Sequence, residues 1–102
     1  MNFFYDKNGE KIDPFTWVNL FENKTYAIIK QEHVNDYFIS TVWLGLNHRF
    51  YEGLPLIFET MVFREIKEID IERYATLEEA IEGHERMCKK YINAPYVLKD
   101  WK

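Results

Sequence analysis

The sequence predicts a single α+β domain. Its sheet is an antiparallel meander of three strands, or slightly more, with a short N-terminal helix and a longer C-terminal helix. The chain has 102 residues, enough for one hydrophobic core. Three β-prone runs and one amphipathic stretch follow one another, at 25–31, 36–46, 56–63 and 77–91. We therefore expect one domain over residues 1–102, with 94–102 as an extended tail.

The N-terminal part predicts a short hairpin followed by a helix. Asn8-Gly9 supplies the positive φ angles of a tight turn. Asp13 is a favourable N-cap, and Pro14 suits the first helical position. These residues predict a helix over about 14–22, with Phe15, Val18, Leu20 and Phe21 on its apolar side.

The three β-prone runs should pair antiparallel in chain order. Alternation places Tyr37, Ile39, Thr41 and Trp43 on one face of the second strand. Both faces of the second and third strands are apolar, which predicts a sheet covered on two sides. The helices could cover one side and a subunit partner the other, which makes a homodimer one hypothesis. The charged segment 64–73 fits either an irregular connection or a short strand.

The C-terminal helix has the clearest signal. Thr76 and Glu79 have the spacing of a capping box at its start. Apolar or weakly polar residues recur every three or four positions after the cap. This stripe consists of Leu77, Ala80, Ile81, His84, Met87, Cys88 and Tyr91.

Composition argues against several functional classes. The net charge of −4 and the pI near 5.4 disfavour a general nucleic-acid-binding surface, which needs concentrated Lys and Arg. A single cysteine, Cys88, cannot form an intramolecular disulfide. No apolar run approaches the roughly 20 residues needed to span a bilayer. We expect a cytoplasmic protein with no general nucleic-acid binding and no membrane binding.

Two polar groups within apolar patterns are candidate site residues. Glu59 interrupts an apolar strand and needs a partner, for which His48 is a candidate. The pair fits either general acid–base chemistry or an ion pair that anchors the 47–55 loop. His84 fits either a core histidine bonded to a strand or a member of a pocket with His48, Glu59 or Tyr74.

The sequence predicts no catalytic residues, no metal and no cofactor. His84 and Cys88 have the i, i+4 spacing that can clamp zinc, but two ligands are too few. There is no GxSxG motif and no glycine-rich phosphate loop.

The loop NHRFYEGLP brings Arg49, Phe50 and Tyr51 together. Arg49 suits a planar anionic ligand, and Phe50 and Tyr51 suit a protein contact, as does Trp101 in the tail. An ordinary hairpin loop with surface aromatic residues is the alternative interpretation.

Three ordered motifs, TVWLGLNH, PLIFETMVF and YATLEEAIEGHERM, resemble a family of small, largely uncharacterised bacteriophage and prophage proteins. The family commonly has an aspartate before the histidine, where this chain has Asn47. The matching positions are Trp43, Gly45, His48, Glu59, Thr60, Tyr74, Ala80, Gly83 and His84. The resemblance implies a phage-associated origin and a cytoplasmic setting in an infected bacterium.

Three functional hypotheses follow. The first is a non-enzymatic phage accessory protein that binds a host protein and modulates a host process such as defence. The second is a small-ligand-binding or sequestering protein that uses His48, Arg49, Glu59, Tyr74 and His84. The third is a hydrolase or metal-dependent enzyme built on the same polar residues.

Overall fold

The structure, a computed structural model, describes residues 3–48 and 52–93. Its elements are β1 (Phe4–Tyr5), β2 (Lys11–Ile12), α1 (Pro14–Glu22), α2 (Lys24–Ala27), β3 (Ile28–Val34), β4 (Tyr37–Trp43), β5 (Phe58–Arg64), β6 (Lys67–Tyr74) and α3 (Leu77–Ile92). Strands β1 and β2 form a small sheet, and β3-β4-β5-β6 form a four-stranded antiparallel sheet in chain order. The predicted α+β class is confirmed. The main sheet has four strands, where the sequence predicted a meander of three strands or slightly more.

Hydrogen bonds from nearby backbone amides to aspartate side chains stabilise the N-terminal turn and helix. Gly9 has a φ of 84° in the turn between β1 and β2, and Asp6 accepts hydrogen bonds from the Asn8 and Glu10 amides. Asp13 accepts a hydrogen bond from the Thr16 amide at 2.8 Å and caps α1. The predicted hairpin and the predicted helix at 14–22 are thus confirmed.

The first strand of the main sheet begins later than predicted. Residues 25–27, placed in a strand from their β-prone composition, belong to the short helix α2. The Asn23 side chain accepts a hydrogen bond from the Thr25 amide at 3.1 Å and caps this helix, which overrides the local β propensity. Strand β3 then runs over Ile28–Val34.

The segment that the sequence left undecided forms β6, the fourth strand. Residues with positive φ in the two short hairpin connections, Asn35 at 55° and Glu65 at 57°, allow β3 to turn into β4 and β5 to turn into β6. In the resulting register Thr41 lies opposite Thr60, and Met61 lies opposite Ile71.

One face of the main sheet packs against the helices. Ile39, Thr41 and Trp43 of β4 are buried on this face, which confirms the predicted alternation. Helix α3 contacts all four strands. The N-terminal elements pack on the same side, because Trp17 and Leu20 of α1 join Trp43 in one core cluster.

The opposite face, called the second face below, is not covered by any described element. It carries Gln31, Phe38, Ser40, Val42, Glu59, Met61, Phe63, Ile71 and Arg73. None of these residues belongs to either core cluster. The described elements thus cover one side of the sheet, as predicted for the helices, and the covering of the other side by a subunit partner stays a prediction.

Helix α3 begins and ends close to the predicted bounds. Thr76 accepts a hydrogen bond from the Glu79 amide at 3.1 Å, while the Glu79 carboxylate accepts one from Ala75. Its buried residues are Ala80, Gly83, His84, Met87 and Tyr91. Ile81, which the predicted apolar stripe included, is 42% exposed, and the glycine at 83 faces the sheet instead. None of the described helices has the length and apolar character needed to cross a membrane.

Candidate functional site

His84 is the centre of a buried polar cluster between α3 and the sheet. Its side chain is fully buried, with Nδ1 at 2.6 Å from Thr41 Oγ1 and Nε2 at 2.7 Å from Glu32 Oε1. The antiparallel register pairs Glu32 with Ile39, so Glu32 points to the same face as Thr41. Both imidazole nitrogens are therefore bonded to strand side chains.

The hydrogen bonds continue across the sheet. Thr41 and Thr60 are opposite each other on β4 and β5, with 2.5 Å between their hydroxyl oxygens. The Tyr74 hydroxyl lies 3.0 Å from Thr60 Oγ1 and 2.8 Å from Glu72 Oε1. We call the series Glu32, His84, Thr41, Thr60, Tyr74 and Glu72 the polar chain. It joins two carboxylates across the whole width of the sheet.

The two ends of the polar chain reach solvent, whereas its middle does not. The side chains of Glu32 and Glu72 are 42% and 38% exposed, and Thr41 and Thr60 are fully buried. Among the described residues, no buried side-chain nitrogen or oxygen is without a hydrogen-bond partner. The interior threonines are thus stabilised by one another and by their neighbours.

Counting protons constrains the charge of the polar chain. Five links join its two carboxylates, but neutral His84, Thr41, Thr60 and Tyr74 contribute one proton each, four in all. Ionised carboxylates only accept, so one of the five links has no proton from these four groups. The tautomer of His84 determines whether Nδ1 donates to Thr41 or accepts from it.

Cys88 and Lys30 surround the Glu32 end of the polar chain. Cys88 Sγ donates to Glu32 Oε1 at 3.4 Å, and Lys30 Nζ lies 3.9 Å from the same oxygen. Hydrogen bonds from His84 and then Cys88 lower the pKa of Glu32 below its ordinary value. Burial, with the adjacent Glu32 carboxylate, raises the pKa of the Cys88 thiol to about 11. Glu32 is thus held ionised, and Cys88 is held as the thiol.

An open cavity of about 520 Å³ lies at the Glu72 end of the polar chain. Its charged lining residues are Glu72, Glu79, Glu82, Arg73 and Arg86. Arg86 donates to the Glu72 carboxylate at 2.5 Å, and this bond raises the pKa of Arg86. Burial raises the pKa of Tyr74, whose ring also lines the cavity. The lining has a small excess of negative charge.

Only some of the predicted site residues are brought together. Tyr74 and His84 belong to the same polar chain and are linked by the two threonines. Glu59 lies on the second face instead, where its carboxylate accepts a hydrogen bond from Arg73 at 3.1 Å. A pocket that combines Glu59 with His84 is therefore a wrong prediction, because the sheet separates them.

The remaining predicted residues divide into two groups. His48 lies beyond β4, where its amide donates to the Leu56 carbonyl at 3.0 Å, and no hydrogen bond joins it to Glu59 among the described residues. The second group lies outside the described residues. It consists of Arg49, Phe50, Tyr51 and Trp101, together with the predicted tail at 94–102.

Sequence reasoning missed Glu32, Thr41, Thr60 and Glu72 as members of one network. A signal for two of them was present: the alternation that buries Ile39 and Trp43 also buries the hydroxyl of Thr41, and Thr60 has the same position in β5. Buried hydroxyls require partners, so these threonines were candidates for a shared network.

Comparison of the chain with protein-family models, curated proteins and solved structures found no match in any of the three.

Proposed function

We propose that this chain is a non-enzymatic accessory protein of a bacteriophage or prophage, and that it binds a host protein through the second face of its sheet. The bacteriophage setting comes from the three sequence motifs described above. One structural observation supports the binding role: the apolar second face lies outside both core clusters of the described residues.

The second face has the composition of a binding surface. Its apolar part contains Phe38, Val42, Met61, Phe63 and Ile71. The Phe38 and Phe63 ring centroids are 6.3 Å apart, so the aromatic area is continuous across two strands. A contiguous apolar patch on a protein surface commonly marks an interaction site.

Two polar pairs lie among these apolar side chains. Gln31 donates to Ser40 Oγ at 2.9 Å, and Arg73 pairs with Glu59. The acidic and basic groups neutralise each other, so an uncharged apolar surface can approach without leaving a buried charge unpaired.

The polar chain is a weaker candidate for catalysis. His84 is fully buried, and both of its nitrogens have bonding partners within the protein. A general base must come within hydrogen-bond reach of a substrate proton. These partners favour a structural role for the imidazole over direct proton transfer with a substrate.

Affinity capture with matched variants tests the proposal. Tagged wild-type protein and the variants Phe38→Lys and Met61→Lys are incubated with bacterial lysates, and retained proteins are quantified by mass spectrometry. Ile81→Lys, at an exposed position of α3, is the control. We expect one host protein that wild type and Ile81→Lys retain and that both second-face variants lose.

Two outcomes contradict the proposal. Retention of the same host protein by Phe38→Lys and Met61→Lys would show that the second face is not the binding surface. A self-associated wild type that becomes monomeric in Met61→Lys, with no host protein retained, would assign the face to a second copy of the chain. Sedimentation velocity on the same samples separates the two cases.

The cavity favours a second candidate function, binding of a small molecule. Its volume of about 520 Å³ falls within the usual range of ligand sites. Since Arg73 and Arg86 already pair with Glu59 and Glu72, the cavity favours a cationic ligand over an anionic one. Native mass spectrometry of wild type and Glu82→Gln tests this candidate, because a bound cation should be retained less by the variant.

A further inference from the structure

We propose that Glu32, His84 and Cys88 form a binding site for a divalent transition-metal ion such as Zn²⁺. The candidate ligand atoms are Glu32 Oε1, His84 Nε2 and Cys88 Sγ. All three lie within 4.8 Å of one another. The site is on the helix-covered side of the sheet, so it is independent of the second face and of the binding role proposed for it.

The distances fit a tetrahedral ion after a small movement. Typical zinc bonds of about 2.0–2.3 Å place neighbouring ligand atoms roughly 3.3–3.7 Å apart. Cys88 Sγ and Glu32 Oε1 are already 3.4 Å apart, and His84 Nε2 and Glu32 Oε1 are 2.7 Å apart. The second distance must increase by about 0.6–1 Å. His84 Nε2 and Cys88 Sγ lie within 4.8 Å of each other, so an ion can draw this pair together. The Glu32 side chain is partly exposed and can make this movement by rotating.

The protein already orients the two helical ligands. His84 and Cys88 are one turn apart on α3, so their side chains lie on the same side of the helix. The bond between Nδ1 of His84 and Thr41 fixes the imidazole ring and leaves Nε2 to face Glu32. Metal-binding histidines commonly have such a partner on their second nitrogen.

Metal binding at this site releases protons, because a metal ion takes the lone pair of Nε2 and binds cysteine as the thiolate. The ion therefore displaces the thiol proton of Cys88 into solvent.

Charge is also balanced at the site. One thiolate and one carboxylate neutralise a divalent ion, while the imidazole ligand is neutral. Cys88 Sγ and Glu32 Oε1 are 3.4 Å apart, so a cation bound by both offsets the repulsion between the thiolate and the carboxylate. Lys30, at 3.9 Å from Glu32 Oε1, has a half-exposed side chain that can move into solvent. Three protein ligands leave a fourth position for water.

Cobalt binding tests the site. The reduced protein is treated with a chelator, exchanged into metal-free buffer and titrated with Co²⁺ and then with Zn²⁺. We expect one Co²⁺ per chain, with the ligand-field absorption of a tetrahedral ion and a thiolate-to-cobalt charge-transfer band. Zn²⁺ should displace the cobalt and raise the thermal midpoint of unfolding.

Conservative variants identify the ligands. Cys88→Ser should abolish the charge-transfer band. Glu32→Gln should weaken Co²⁺ binding by more than the roughly 10- to 100-fold that loss of a supporting group costs, and Thr41→Val should weaken it within that range. His33→Ala, at an exposed histidine on β3, should leave the affinity unchanged. Far-UV circular dichroism confirms that each variant is folded.

Several results would overturn the proposal. A charge-transfer band that persists in Cys88→Ser, or binding that is lost only in His33→Ala, would place the metal elsewhere. A wild type that binds no Co²⁺ and gains no stability from Zn²⁺ would show that Glu32, His84 and Cys88 do not form a metal site.

Discussion

The ring of Tyr74 lies directly against the backbone of Gly83, where an added β-carbon would overlap the ring carbons and the hydroxyl oxygen. A glycine within a helix costs about 1 kcal/mol relative to alanine. At position 83 the missing β-carbon allows β6 to lie close to α3. This close approach places the Tyr74 hydroxyl within hydrogen-bond distance of Thr60.

Gly83→Ala should therefore destabilise the protein even though alanine favours helices. We expect a loss of about 1–3 kcal/mol in the free energy of unfolding, because the bulky ring must move within a packed interface. Urea denaturation measures it. Glu85→Ala, at an exposed position of the same helix, is the control and should change the value by less than about 0.5 kcal/mol. A variant more stable than wild type would show that the ring is free to shift.

Thr41→Val should disrupt the polar chain without changing the size of the side chain much. The substitution removes the partner of His84 Nδ1 and one partner of Thr60. Leaving buried polar groups unbonded costs about 1–3 kcal/mol. Chemical denaturation of Thr41→Val, Thr60→Val and the double variant gives their free energies of unfolding. Comparing these values measures the interaction energy between the two hydroxyls.

The double variant should lose less stability than the sum of the two single variants, since the single changes each leave the other hydroxyl without its partner. Strict additivity would mean that the two hydroxyls do not interact in solution. Thr25→Val, at an exposed position of α2, is the control for the change from hydroxyl to methyl.

Asp70 should make stability depend on pH in the acidic range. Its burial tends to raise the pKa, but hydrogen bonds from Lys90 and Tyr91, each at 2.7 Å, outweigh burial and lower the pKa below its ordinary value. Because the folded state then has the lower pKa, the carboxylate contributes stability above the unfolded value of about 3.9. That contribution is lost as the pH falls through the folded value.

Wild type should accordingly be more stable than Asp70→Asn at pH 7, by about 1 kcal/mol, and the difference should shrink below about pH 4. Thermal or urea unfolding across this range measures the difference. Asp36→Asn is the matched control, because its carboxylate is exposed and lies 3.9 Å from Arg64. A difference that stays constant down to pH 2 would contradict the assignment.

The two faces of β4 should differ in their tolerance of substitution. Ile39 is fully buried under α3, so Ile39→Ala should cost about 2–4 kcal/mol. Phe38 is only partly buried on the second face, and Phe38→Ala should cost about 1 kcal/mol despite removing the larger side chain. Urea denaturation at two protein concentrations provides the comparison. Equal losses of unfolding free energy in the two variants would show that the second face is covered in solution. A loss for Phe38→Ala that depends on protein concentration would show the same.

Locally encoded features could be predicted from the sequence. Asp13-Pro14 and the pair Thr76 and Glu79 specify helix starts through bonds that span only a few residues. The period of two in β4 predicted which side chains are buried. In contrast, Glu32 and His84 are 52 positions apart, and no local pattern specifies which strand lies beneath a given helical residue.

The error over Glu59 has a related cause. An acid within an apolar strand suggested a partner nearby in sequence, and His48 was the available histidine. The antiparallel register instead places Arg73 directly opposite Glu59 on β6. That strand was the segment left undecided, so the partner could not be identified from the chain alone.

The order of the strands has a consequence for how the chain folds. Each strand of the main sheet pairs with the next one in sequence, so the sheet can form by successive hairpins. Helix α3 comes after β6 yet contacts all four strands, and it supplies His84, the bridge between Glu32 on β3 and Thr41 on β4. The hydrogen bonds of His84 therefore cannot form until the last element of the described chain has docked. They would report the final step of assembly in a refolding experiment, after the hairpins are in place.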